Sequence, residues 1–291
     1  MKITLIAMAL AVGAPLTFAQ STPDNGPPAV IQIAREMIKE GRESAHRKVE
    51  QDYANTMRKN KFPYHYLGLS TESGPNEVIF LEAFPSFAAI EEGDKLGEKA
   101  PLKSELEMIN ARDGELRSES RSMTAVFRKD LSYMPDNALP VGKFRYVMID
   151  NYRVRLGQND KFMDGAKMLL GGYKKANIGM TILCYQVIAG APNGVYLFLM
   201  PMDSLKLLDG MQAMDKSLEE TLGADAMKGL SKGEGEVFQT METTLYSVSP
   251  EMSYLPKEDE EADPAFWRPK VTAVHAAPKE TVAKQSPEKP Q

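Results

Sequence analysis

Two of the chain's three histidines, His46 and His65, fall within twenty residues of each other in its first half. His46 precedes Glu50 by four positions. Ala45, Val49, Tyr53 and Met57 repeat at the same spacing, which predicts a helix over Glu43 to Asn60. At about 100° per residue His46 falls inside the apolar stripe of that helix, with Glu50 at its edge and one turn away. An ionisable group turned into an apolar layer must be paired, shifted or bound to something. With His65 on the next element, two imidazoles and a carboxylate make the donor set of a facial-triad metal site with open positions. The same three without metal make a general base and its orienting acid. The structural alternative has His46 as a boundary histidine with Glu50 as its surface partner, an arrangement common on helices, and His65 facing the other side of its sheet. Tyr53, Tyr66 and Arg35 are the nearby residues able to hold a ligand, Arg35 through a carboxylate. No cofactor is firmly implied, and a divalent metal is what the donor set would accept.

The elements that carry these residues come in two matching series. The first half ends in Asp130-Leu131-Ser132-Tyr133-Met134-Pro135 and the second in Glu251-Met252-Ser253-Tyr254-Leu255-Pro256. Gly41 and Leu67 lie 116 before Gly157 and Leu183, Pro75-Asn76 lies 117 before Pro192-Asn193, and Gly114-Glu115 lies 121 before Gly235-Glu236. The offset only grows, as in a second copy with a few extra loop residues. Each half reads β-α-β-β-α-β. The first runs Ala29 to Lys39 (strand), Glu43 to Asn60 (helix), Tyr64 to Ser70 and Glu77 to Phe84 (a hairpin across Ser73-Gly74-Pro75-Asn76), Ser86 to Asn110 (helical, broken near Pro101) and Ser122 to Arg128 (strand). The second runs Phe144 to Arg155, Asp160 to Lys175, Met180 to Ile188, Gly194 to Met200, Ser204 to Leu230 and Glu242 to Ser249. The offset places His46 opposite Phe162, Glu50 opposite Ala166, Tyr53 opposite Leu169 and His65 opposite Thr181, so the first half is ionisable where the second is not.

That order is the ferredoxin-like split unit, an α+β arrangement whose helices cover only one face of its sheet. The uncovered face needs a second layer, and the other half supplies it. The sequence thereby resembles the dimeric α/β-barrel superfamily, which includes antibiotic-biosynthesis-type monooxygenases and EthD-like and NIPSNAP-like proteins. The resemblance covers roughly residues 29 to 256 and rests on element order and hairpin turns. It implies two tandem units packed sheet to sheet, with a ligand cavity in a helix-sheet crevice or inside the barrel. A one-chain barrel does not require a homo-oligomer, though it leaves one open. Haem-degrading relatives use a Trp and a His within the unit, whereas the one tryptophan here, Trp267, lies beyond both units, so haem is not indicated.

The remaining segments bound the setting. Lys2, the apolar run Ile3 to Val12 and the small-x-small Thr17-Phe18-Ala19 read as a signal peptide over 1–19. The expected location is therefore periplasmic or extracellular in a bacterium. Residues 20–28 read as a flexible lead, 29–136 and 141–256 as the two units, and 257–291, rich in Pro, Lys, Glu and Ala, as a disordered tail. Cys184 is the single cysteine, which excludes an intramolecular disulfide and favours a buried inert thiol. The eighteen methionines read as core filler. A formal charge of −5 gives no basic footprint for nucleic acid, and nothing beyond the N-terminal run has the length and apolarity of a membrane span. The function expected is binding of a small molecule in a polar pocket of the first unit. The alternatives are a monooxygenase-like or metal-assisted enzyme using His46, Glu50 and His65, and a structural or interaction protein.

Overall fold

The computed structural model describes residues 26–268. The expected signal peptide and most of the lead lie outside the described residues, as do residues 269–291. The first half comprises β1 (Val30–Ile38), α1 (Glu43–Lys59), β2 (His65–Ser73), β3 (Glu77–Phe84), α2 (Phe87–Gly97), α3 (Leu102–Gly114) and β4 (Arg117–Phe127). The second comprises β5 (Tyr146–Val154), α4 (Asn159–Lys175), β6 (Leu183–Ala189), β7 (Val195–Met202), α5 (Lys206–Asp209), α6 (Met211–Leu222), α7 (Ala224–Val237) and β8 (Phe238–Val248). Two short helices follow, α8 (Lys257–Ala262) and α9 (Pro264–Trp267). No helix among the described residues is long and apolar enough to cross a membrane.

The eight strands close into an antiparallel barrel in the order β1-β3-β2-β8-β5-β7-β6-β4. Each half contributes four adjacent strands, joined at β2 with β8 and at β4 with β6. Strand alternation sorts the side chains. Ile31, Ile33, Leu67, Leu69 and Ile79 meet Val147, Ile149, Leu197 and Leu199 inside the barrel. The opposite faces carry the helices: Ile38, Tyr66, Val78 and Phe80 pack with Ala54 and Met57 of α1 and Leu102 of α3, and Val154 and Tyr196 pack with Phe162 of α4 and Val237 of α7.

Three expectations change. The region Ser204 to Leu230 is three helices that reach Val237, with Gly223 at φ +90° making the break between α6 and α7 that a side chain would resist. The closing strands start earlier than alternation predicts, at Arg117 and Phe238, because their polar, exposed first residues are held by backbone pairing rather than burial (Met37 opposite Glu119, Asn151 opposite Glu242). The tail is not disordered at its start. Trp267 is buried with the barrel core and donates from Nε1 to the Gly142 carbonyl at 2.8 Å. Phe266 lies under the Arg145 guanidinium, 3.7 Å from its ring centre, and Glu260 is held between Arg58 and Arg268. Composition averages over the stretch and misses two aromatics sufficient to anchor twelve residues.

The repeated Ser-Tyr endings lock the barrel reciprocally. Ser132 Oγ accepts from the Cys184 amide and donates to the Arg128 carbonyl, and Tyr133 donates to the Ile178 carbonyl. Ser253 Oγ accepts from the Gly68 amide and donates to the Ser249 carbonyl, and Tyr254 donates to the Phe62 carbonyl. Each closing segment thus fastens onto the other half at equivalent positions. Gly68 is a glycine because a Cβ there would meet the Met252 backbone.

Candidate functional site

The chemistry expected of α1 is present, with different partners. Gly41, at φ +74°, turns the chain from β1 into α1 and brings His46, on the second helical turn, back over the outer face of β1. On that face Glu36 lies between Ala34 and Ile38, directly under the imidazole. Asp113 is the penultimate residue of α3 and Arg117 the first of β4, so one short connection delivers both to the same place.

His46 Nε2 lies 3.0 Å from Glu36 Oε2 and 3.3 Å from Asp113 Oδ1. A single ring nitrogen can serve one of these oxygens at a time, and Asp113 Oδ1 is left buried with no hydrogen bond despite that approach. Arg117 Nη1 takes the far oxygens, Glu36 Oε1 and, at 3.1 Å, Asp113 Oδ2. Glu50 joins from the next turn of α1, and donor atoms of Glu36, His46, Glu50 and Asp113 all lie within 4.8 Å of one another. All four side chains are buried. Burial, then the nearby Glu36 and Asp113, push the Glu50 carboxyl well above its ordinary range. Burial and then Glu36 also raise Asp113, against the pull of Arg117 and His46.

His65 is not part of this group, and the expected triad of His46, Glu50 and His65 does not form. Glu36 aligns across β3 with Ser70 of β2, whereas His65 is five residues further along and aligns with Ile31. At ~3.3 Å per residue along a strand and ~4.8 Å between strands, that is roughly 16 Å one way and 10 Å the other. His65 instead stacks on Tyr254, ring centres 4.6 Å apart, and burial lowers its basicity. Arg35 is also elsewhere. It points into the barrel, where Nε and Nη2 bond the two oxygens of buried Glu77 at 2.9 and 3.0 Å and Tyr246 donates to the same carboxylate at 2.8 Å. Its carboxylate is supplied by the chain itself.

Tyr53 and Tyr66 do come together. They meet edge to face at 5.9 Å and line a cavity of about 380 Å³ between the first-half sheet and α1, α2 and α3. Met57, Phe62, Phe84 and Leu106 form its apolar walls. On its floor Tyr66 pairs in register with Glu82; the Tyr66 hydroxyl is buried without a hydrogen bond, and burial pushes the Glu82 carboxyl up to about 7. The second half has a larger cavity of about 540 Å³ in the same relation to its sheet, lined by Tyr152, Phe162, Ala166, Tyr173 and Phe238 among others. Cys184 is buried and its thiol is pushed up to about 12 by burial, so it is inert as expected.

Sequence reasoning missed Glu36, Glu82, Asp113 and Arg117. For three of them the signal was available by extending the subtraction beyond α1: Glu36 falls opposite Tyr152 at an offset of 116, Glu82 opposite Met200 at 118 and Arg117 opposite Phe238 at 121, whereas Asp113 falls opposite Glu234 and carries no such contrast.

A closed eight-stranded antiparallel barrel flanked by helices on both sides is the fold of dimeric α+β barrel proteins. An anthrone oxidase-like protein superposes with a TM-score of 0.53 at 11% identity, covering 77% of this chain and 93% of that one. A mutant chlorite dismutase from Candidatus Nitrospira defluvii superposes at 0.51 and 9% identity, covering 82% and 99%. At these identities the likeness is one of fold. No family model and no curated protein sequence matches the chain.

Proposed function

We propose that this is an exported protein, built from two copies of one ferredoxin-like unit, that binds a small neutral aromatic molecule in the cavity of its first half. The single observation that carries the reading is the Tyr66 hydroxyl, buried and unpartnered, on the same floor as Glu82 in a recess that combines apolar walls with His65, Asp94, Glu98 and Lys103. A buried hydroxyl without a partner costs about 1–3 kcal/mol, and a ligand oxygen that displaces the side chains covering it would recover that cost. The apolar walls supply affinity and the Tyr66-Glu82 pair supplies orientation. Export is supported by the pattern of residues 1–19. A second reading, acid-base turnover of the bound molecule, is favoured by a Glu82 carboxyl that changes charge near neutrality and can exchange a proton with a ligand.

The test uses anthrone, a neutral tricyclic ketone chosen from the name of the superposing protein, together with simple phenols and quinones. Binding to the full chain is followed by ligand-observed NMR. Tyr66→Phe is expected to weaken binding about fivefold, the worth of one hydrogen bond. Gly97 lines the cavity with open space at its Cβ, so Gly97→Phe is expected to block it. Gly229 stands in the same relation to the second cavity, and Gly229→Phe is expected to leave binding intact. Binding lost in Gly229→Phe and kept in Gly97→Phe, or no binding by any of these compounds, overturns the assignment.

A further inference from the structure

We propose that Glu36, His46, Glu50 and Asp113 are the ligands of one divalent transition-metal ion, held in a site of three carboxylates and one imidazole. Ligand atoms at ~2.0–2.2 Å from a common ion lie no more than about 4.4 Å apart, and neighbouring ones about 3 Å apart. The His46 distances of 3.0 Å to Glu36 and 3.3 Å to Asp113 fit neighbours, and the 4.8 Å limit on the whole set fits four donors that close slightly on an ion. Asp113 Oδ1, fully buried and without a hydrogen bond, is the atom an ion would satisfy. Glu50 faces the same point, and no hydrogen bond or ion pair to it is found among the described residues.

The surroundings are arranged as support. Arg117 takes the outer oxygens of Glu36 and Asp113, which turns their inner oxygens toward His46 Nε2. Such outer contacts fix the orientation of metal-binding side chains. Charge points the same way: with all three carboxylates ionised and a neutral imidazole, as metal ligation requires, one guanidinium leaves two negative charges for a divalent cation to balance. Oxygen donors with one imidazole suit Mn²⁺, Fe²⁺ or Zn²⁺, whereas Ca²⁺ takes oxygen ligands alone. Of the corresponding second-half positions, Tyr152, Phe162, Ala166 and Phe238 lack the ionisable groups of Glu36, His46, Glu50 and Arg117, and only Asp113 has an acidic counterpart, Glu234. The inference is independent of the cavity reading, since none of the four residues lines that cavity.

Two bound protons would balance the same charge, and Glu50→Gln separates the cases. The full chain, stripped with chelator, is titrated with Mn²⁺ and Zn²⁺ by calorimetry, with Mn²⁺ also followed by electron paramagnetic resonance and Mg²⁺ as the weak comparison. The expected result is about one Mn²⁺ or Zn²⁺ per chain, a metal-dependent rise in melting temperature, and at least a tenfold loss of affinity in both Glu50→Gln and Asp113→Asn. Melting curves of the metal-free variants show whether each is folded, and Glu50→Gln keeps the shape of the side chain. Unchanged affinity in both folded variants means adventitious binding elsewhere and overturns the site. Absence of binding, with Glu50→Gln more stable than the wild type, means that protons balance the cluster and overturns it equally.

Discussion

Between its first helix and the outer strands flanking it, each half of the barrel lines the same space with opposite chemistry. The first half places Glu36, His46, Glu50 and Asp113 there, all buried, with the partly exposed Arg117 paired to two of their carboxylates. The second places Tyr152, Phe162 and Phe238 there, with Phe162 and Phe238 ring centres 5.9 Å apart and Tyr152 and Phe238 5.1 Å apart. Among the described residues of the second half no buried charge stands at that point, the counterpart of Asp113 being the exposed Glu234. Charge costs several kcal/mol per buried ion, and pairing recovers it only with good geometry. The first-half cluster is therefore a poor way to stabilise a barrel and a good way to hold something.

The most disruptive way to break this comparison is to place one residue of the second half into the first. His46→Phe removes the group that faces both Glu36 and Asp113 and leaves their carboxylates against a ring. The expected loss, read from urea unfolding of the metal-free chain, is about 3 kcal/mol, the upper end of the cost of leaving a buried acceptor without its hydrogen-bond partner. Converting the whole set, with Glu36→Tyr, Glu50→Ala, Arg117→Phe and Asp113→Asn added, is expected to recover most of that loss because no charge is then left unpaired. A His46→Phe variant within about 1 kcal/mol of wild type would show that the cluster is loosely coupled. A converted chain no better than the single variant would show that the two halves are not interchangeable there.

Which parts of this were legible beforehand follows from range. Alternation and the i, i+4 stripe are local, and they placed β1, α1, β2 and β3 within a few residues. Element order led to an α+β barrel, and His46 with Glu50 marked the right face of α1. What was not local was lost. Glu36 and Asp113 were not singled out at all, because nothing near either in sequence says that Gly41 folds α1 back over the one and that β4 leaves from beside the other. His65 was attractive for its closeness in sequence, yet barrel order separates β1 from β2 by an intervening strand. The tail was judged on composition, which cannot register that Trp267 has a carbonyl waiting at Gly142.

A milder change sharpens the comparison through pH. Glu82 on the first-cavity floor falls opposite Met200, which is buried beside the second cavity. Burial and then Asp94 raise the Glu82 carboxyl from 4.5 to about 7 in the folded chain. Between those values the folded state holds a proton that the unfolded chain has released, so stability is fully present below about pH 4.5 and is lost as pH rises through about 7. Glu82→Met carries no such proton. The difference in unfolding free energy between variant and wild type, measured from pH 4.5 to 8, should therefore grow in favour of the variant and then level off. A difference that stays flat across that range would mean that Glu82 is solvated.

The smallest expected effect concerns how the second half makes room. Its cavity is lined on the α7 side by Gly229 and Gly233, where the offset of 121 gives Met108 and Arg112 in α3. A Cβ at either glycine meets nothing within 4 Å. Glycine in a helix interior costs roughly 0.5–1 kcal/mol against alanine through the freedom it loses on folding. Gly229→Ala should therefore stabilise the chain by about that amount while taking only a methyl group's volume from the cavity, and Gly233→Ala should add a similar increment. Thermal unfolding of the single and double variants checks this. Stabilisation by both would mean that the space is open at the expense of helix stability, the apolar counterpart of the charge retained in the first half. Destabilisation would mean that α7 packs closer to α4 than the 540 Å³ cavity allows, leaving the comparison to rest on the aromatic residues alone.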